Sequence, residues 1–200
     1  EILSIKDIIL EAKDDNRFGF EEPYSDLARA LSRTQKGKNF KSFSDARQMV
    51  GDMVHGRLEF DDDKKEWQFR DNSRKVYEIS MTSEGVKKLS ILDLLLGNHY
   101  LDDKSIIIID EIEANLHPSL ITRLLDTIQL LAQAGVQFFI ASHSYFVIKR
   151  LYIMAHRADC SIPVLSFENG ECVVGNLQHQ MPQNPIIDES INLYKDEISL

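Results

Sequence analysis

The sequence predicts an α/β fold: a parallel-sheet lobe that follows an N-terminal helical part and a short antiparallel β meander. Three observations carry that prediction. Residues 1–55 hold apolar positions at three- and four-residue spacing, the period of a helix face. Short runs of alternating character come next, the period of half-buried strands. From Ser83 onward, apolar runs of strand length alternate with longer helical stretches. That last order is the βαβ pattern, because parallel neighbours need a helix-length crossover between them.

In chain order, "SIKDIILEAKDD", "SDLARALSRTQ" after Pro23, and "SFSDARQMVGDMVH" read as helices. "RLEF", "EWQFR" and "KVYEISM", separated by "DDDKK" and "DNSR", read as the meander. "SEGVKKLSILDLLLGN" is an amphipathic helix closed by Gly97-Asn98, and "SIIIID" is a short apolar strand suited to burial on both faces. "HPSLITRLLDTIQLLAQAG" places Pro118 in a first helical turn and Gly135 at the C-terminal stop. "VQFFIA" is a second buried strand and "YFVIKRLYIMAHR" its following helix. "IPVLSFENGECVVG" is a hairpin turning at Asn169-Gly170, and "DESINLYKDEISL" is a terminal helix. The sequence divides into a helical segment, 1–55, and a lobe, 56–200.

Two hundred residues, 43% of them hydrophobic, can bury one substantial core. A net charge of -9 excludes a chain that coats nucleic acid indiscriminately, although a local basic patch survives that average. "KGKNFK" is a candidate phosphate-contacting patch, or else a solvated connection between helices, and with Arg29, Arg33 and Arg47 it is what a DNA-binding scaffold would rely on. Cys160 and Cys172 have no metal-ligand spacing, and no disulfide is expected of them. No apolar run approaches the roughly 18 residues of a membrane span, and "EILSIKD" lacks the order of a signal peptide, so a cytoplasmic chain without a membrane partner is expected. The chain opens on Glu1 rather than Met, so further residues are expected ahead of it.

The chemistry concentrates at strand ends. In a parallel sheet, ligands gather at the carboxyl ends of the strands, where loops and helix N-termini converge. Asp110 and Glu111 end the first apolar strand, and Ser142-His143-Ser144 end the next. A carboxylate at a rigid strand tip can hold Mg2+ through its water shell, and a second beside it can polarise an attacking water. Phosphoryl transfer needs that division of labour.

Taken together, these motifs resemble a known family. "IIIIDE" resembles the Walker B motif of ABC-type ATPases, and "EIEANLHP" resembles the D-loop of their soluble branch, the RecF, SMC and OLD-like ATPases with AAA-domain character. "TSEGVKK" is similar to their signature motif and "IASHS" to their switch-histidine loop, in the same order, over Arg57 to Arg157. The resemblance implies a P-loop-NTPase-like lobe that binds ATP and Mg2+. It implies that Asp110 supports the metal, that Glu111 orients or deprotonates the attacking water, and that His143 senses the γ-phosphate. Ser83 and Gly85 would present a hydroxyl and amides to ATP on a partner protomer, and Asn115 would lie at the junction of that homodimer. The signature departs from the commoner form in carrying Glu84 before Gly85.

Each motif also has a plainer explanation: a core strand, a capped helix start, a proline at a first turn. Their fixed order favours the ATPase lobe. A P-loop, G-x-x-x-x-G-K-[ST], is absent from the sequence; Gly37-Lys38 is followed by Asn and lacks the upstream Gly. The expectation is therefore the C-terminal lobe of a longer ATPase, or one half of a split protein, binding ATP poorly by itself. The alternative from another class is a non-hydrolysing interaction module that keeps the fold. A DNA-binding scaffold, or a partner effector protein, remains a further reading for what the chain acts on.

Overall fold

The structure is a computed structural model that describes residues 22–32, 41–61, 63–64, 66–168 and 170–200. The first expected helix and most of "KGKNFK" lie outside the described residues. The chain forms two compact units, 1–107 with 127–138, and 108–126 with 139–200.

The first unit opens with α1 (Glu22–Ser32) and α2 (Lys41–Val54). Helix α1 begins before Pro23, which suits a first turn where the missing N–H is no loss. The meander follows as β1 (Gly56–Asp61), β2 (Glu66–Asp71) and β3 (Val76–Glu78), paired antiparallel in that order with Leu58 opposite Phe69 and Phe69 opposite Tyr77. The third strand is shorter than "KVYEISM" predicts. Ile79–Met81 tighten into a 3-10 turn that buries Ile79 and leads the backbone out of the sheet toward the next helix.

Helix α3 (Glu84–Gly97) packs against α2, where Arg47 donates from Nε to Asp93 at 2.9 Å. Gly97 leaves room for that guanidinium, since a Cβ there would lie 2.4 Å from Arg47 Cζ. Buried Asn98 ties the end of α3 to α1, its Nδ2 donating to the Ala30 carbonyl at 2.7 Å. That carbonyl is one of the last four of α1, which have no partner within the helix. Phe43, Ala46, Leu96, Leu101, Leu131 and Val136 form the core of this unit, with Ile107 and Phe138 packed against it. Fully burying each large member contributes about 1.5–3 kcal/mol.

Strands β4 (Ile106–Ile109) and β5 (Gln137–Ile140) form a two-stranded sheet. The Gln137 N–H donates to Ser105 O and the Ala141 N–H to Ile109 O, each at 2.9 Å, a register that advances in the same direction along both strands. The sheet is parallel, as the βαβ pattern predicts. Burial on both faces, expected of "SIIIID" and "VQFFIA", is not found. Ile106, Ile108 and Phe139 are 61%, 79% and 53% exposed, while Ile107 and Phe138 pack inward. The pleat points successive side chains to opposite faces, and only one face meets the core among the described residues.

Helix α4 (Pro118–Gln133) is the crossover. It ends in the hydrogen-bond pattern of a Schellman cap, Val136 N–H to Leu131 O at 3.1 Å and Gly135 N–H to Ala132 O at 3.0 Å. Gly135 supplies the positive φ, +107°.

In the second unit, α5 (Tyr145–Arg157), the hairpin β6 (Pro163–Glu168) with β7 (Glu171–Asn176), and α6 (Pro185–Ile198) surround Ile148, Ala155, Leu177 and Ile187. Glu168 pairs with Glu171 across the turn, and Gly170 has φ +83° as the expected turn requires; Asn169 lies outside the described residues. Helix α6 starts a turn earlier than "DESINL" suggests. Asn184 caps it, accepting from the Ile187 N–H at 3.1 Å, and Pro185 takes the first position.

Candidate active site

The site is built where β4 and β5 end. The bond from Ala141 N–H to Ile109 O is the last that joins the strands, so Asp110 and Ser142 each begin the segment just past it. From Asp110 the backbone folds into tight turns, with Ala114 N–H to Glu111 O at 2.9 Å and Leu116 N–H to Glu113 O at 3.1 Å. Glu111 and Asn115 adopt left-handed conformations, φ +47° and +61°. Asparagine tolerates that region, but for glutamate it costs about 1–2 kcal/mol. Ile112, fully buried between the exposed Glu111 and the largely buried Glu113, anchors the turn. His117 then caps α4: its carbonyl accepts from the Leu120 and Ile121 N–H groups, and its Nδ1 from the Ser119 N–H.

Two of the expected site residues approach each other. His143 Nδ1 lies 3.9 Å from Glu111 Oε1, and both side chains are mostly exposed, at 73% and 58%. Asp110 sits exposed beside them at the strand tip, and Asn115 follows in the same turn. Ser83 and Gly85 belong to the other unit. Ser83 is the N-cap of α3, its Oγ accepting from the Val86 N–H at 3.3 Å, and Gly85 is buried in the first turn. The unusual Glu84 turns along its own helix to Lys87 Nζ at 2.6 Å, and that hydrogen bond holds its carboxyl below the ordinary value.

The residue that the sequence did not single out is Glu113. Its carboxylate accepts from Ser142 Oγ at 2.8 Å and from the His143 N–H at 3.0 Å, and its Oε1 lies 3.4 Å from His143 Nδ1. Its side chain is 11% exposed. Burial pushes the carboxyl up, but its own backbone N–H, the Ser142 hydroxyl and the His143 N–H together hold it below the ordinary value. Only its place inside the "EIEANLHP" run could have drawn attention to it, since its partners lie on a strand end far along the chain.

Among the described residues, no group of three or more His, Cys, Asp and Glu side chains gathers into a cage. A single carboxylate such as Asp110 fits Mg2+, which keeps several waters and takes one or two carboxylates plus substrate phosphates. Zinc would require more protein ligands. No helix among the described residues is long and apolar enough to cross a membrane.

Carboxylates at the end of β4 and a histidine loop at the end of β5 thus flank one βαβ unit. Residues 6–149 match the family described as "AAA domain, putative AbiEii toxin, Type IV TA system", and the chain belongs to that family. No curated protein matches it. Among solved structures, an Smc head bound to the C-winged helix domain of ScpA is 18% identical with a TM-score of 0.48, and the match covers 79% of this chain and 46% of that one. The Smc head domain with a coiled coil and joint from Pyrococcus yayanosii is 19% identical, TM-score 0.45, over 76% of this chain and 28% of its own. A structure from work on ATP-driven dimerisation of SMC ATPases is 16% identical, TM-score 0.47, over 78% and 92%. The chain thus spans less than half the length of the first two.

Proposed function

We propose that residues 56–200 are the C-terminal lobe of a Mg2+-dependent ATPase, with 1–55 as a helical segment, and that the P-loop is supplied by polypeptide outside these 200 residues. The observation that carries this reading is the approach of His143 to Glu111 at 3.9 Å beside Asp110, at adjoining strand ends. The exposed Ile106, Ile108 and Phe139 support it, because an apolar strand that is solvated on one side suits cover by further chain.

In this reading Asp110 would hold Mg2+, which would supply charge neutralisation at the phosphates. Glu111 takes the proton of the attacking water, and His143 donates a hydrogen bond toward the γ-phosphate. Ser83 and Gly85 present the α3 N-terminus to ATP on a second protomer, and Asn115 meets that protomer, so hydrolysis needs a homodimer. The Glu84 to Lys87 pair keeps the extra carboxylate engaged on its own helix. We assign the cycle to gating of nucleic acid or of an effector partner, in DNA repair or phage defence; the toxin–antitoxin wording of the family favours defence. A non-hydrolysing interaction module that keeps the fold is the second reading.

Steady-state ATP hydrolysis, measured with the P-loop half present, separates the two. Glu111→Gln should lower kcat by about 10²–10⁴-fold, the usual worth of general base catalysis, while ATP binding is retained. Unchanged turnover would remove Glu111 from the role, and no turnover in the unsubstituted protein would leave the module.

A further inference from the structure

We propose that Glu113 is a positioning residue that holds the histidine loop against the Asp110–Glu111 turn, and so sets where His143 stands. This rests on the ATPase reading for its catalytic consequence. Its structural basis is independent of that reading.

A carboxylate withdrawn from water is costly unless its oxygens are satisfied. Glu113 satisfies both. Oε2 takes the Ser142 hydroxyl and Oε1 the His143 N–H, while Ser142 Oγ in turn accepts from the Ser144 N–H at 3.1 Å. Three consecutive residues of the loop are therefore fixed from one side chain. Ser144, the N-cap of α5, makes no side-chain cap of its own, so the entry to that helix leans on the same network. The two strands exchange their last backbone bond at Ala141, before the histidine is reached. Beyond that point Glu113 supplies the tie that Ile109 and Ala141 supply within the sheet.

The contrast with Glu111 is chemical. Both carboxylates lie on the same turn, yet Glu111 is 58% exposed and Glu113 only 11%. Exposure leaves the first able to meet substrate, whereas the second is turned to the loop, which donates one bond to each of its oxygens. A glutamine at 113 keeps the shape but brings an amide N–H₂ where an acceptor is needed. Its oxygen can still serve the His143 N–H, but its amide can only donate to Ser142 Oγ, which reverses that bond and leaves the Ser142 hydroxyl proton without its carboxylate acceptor. The loop then shifts, and a displacement on the order of 1 Å of a reacting group costs about 10²-fold in rate.

The test uses the ATPase with its P-loop half present, and the probe is Mg-ATP. Glu113→Gln should lower kcat about 10–100-fold with KM for ATP changed little, as expected for misplacement without loss of binding. Ser142→Ala should lower it less, and the double variant should match Glu113→Gln alone, because both act through one network. Histidine ring NMR without nucleotide gives the second readout: the His143 signals should move in Glu113→Gln while the remaining spectrum holds. Wild-type kcat in Glu113→Gln, an unmoved His143 signal, or multiplying effects in the double variant would each overturn the proposal. Absence of turnover in the wild type would sink the ATPase reading and the catalytic role with it. That failure is distinguishable, since the ring signals report the tie without any hydrolysis.

Discussion

Replacing Gly135 by alanine and replacing Gly51 by alanine should move stability in opposite directions, although the chemical change is identical. Gly135 closes α4 at φ +107°, a conformation that costs a side-chain-bearing residue about 1–3 kcal/mol. An added Cβ there would also lie 2.5 Å from the Asp103 carbonyl oxygen, a backbone atom with little freedom to yield, and such overpacking typically costs about 1–3 kcal/mol. The lower entropy of the unfolded alanine chain returns up to about 1 kcal/mol. The net is a loss of about 1–6 kcal/mol. Gly51 lies inside α2 with nothing within 4 Å of the added carbon. There alanine restores helix propensity and should gain about 0.5–1 kcal/mol. Urea unfolding followed by far-ultraviolet circular dichroism reads both as midpoint shifts at constant slope. Shifts of the same sign, or a Gly135→Ala variant within about 0.5 kcal/mol of wild type, would refute the reasoning.

Asn98→Ala should cost about 2–3 kcal/mol in the same assay, because it strands the Ala30 carbonyl and the Tyr100 N–H that its side chain serves at 2.7 and 3.0 Å. Glu59 lies between Arg57 and Arg70, which face each other across β1 and β2, and it bonds both. The Arg70 hydrogen bond, against the opposing effect of burial and with help from Arg57, holds its carboxyl below the ordinary 4.5. A depressed folded-state value means that the contribution is present above pH 4.5 and is lost as the pH falls through the folded value. Glu59→Gln should therefore lower stability near neutral pH by about 0.2–1 kcal/mol and leave it unchanged in acid, read from unfolding midpoints across pH. Calorimetric titration of the isolated chain with Mg-ATP should give affinity weaker than micromolar, and tight binding would place the phosphate cradle within these 200 residues.

Much of the fold was legible because local signals agreed with it. Pro118 and Gly135 bracket α4, period-two runs mark the meander, and the order of strands and helices implies a parallel pair. What escaped depends on neighbours. "SIIIID" carries no mark saying which face its surroundings cover, so the exposure of Ile106 and Ile108 could not be read from it. The end of β3 is set by where Ile79 finds its core, not by propensity. Within the site, Asp110, Glu111 and His143 stand at strand tips, where topology alone brings them together. Glu113 sits in a turn without period, and its worth comes from Ser142 and His143, which a local reading cannot pair with it. Arg47, a candidate for phosphate contact by charge, is engaged with Asp93.

The strain at Glu111 follows from the same arrangement. A glutamate at φ +47° persists only where its neighbours over-determine the backbone. On one side is strand β4, fixed through Ile109 to Ala141; on the other is Ile112, wholly buried, whose placement contributes about 1.5–3 kcal/mol. That offsets the roughly 1–2 kcal/mol cost of the left-handed conformation, and the Glu113 tie to the next strand end adds to it. Buried Ile112 and the Glu113 bond to Ser142 thus hold the backbone that follows Glu111. The chain therefore holds one carboxylate in an unfavourable conformation beside His143 by sequestering its two successors, and the same two residues that look structural are what keep the exposed one in place.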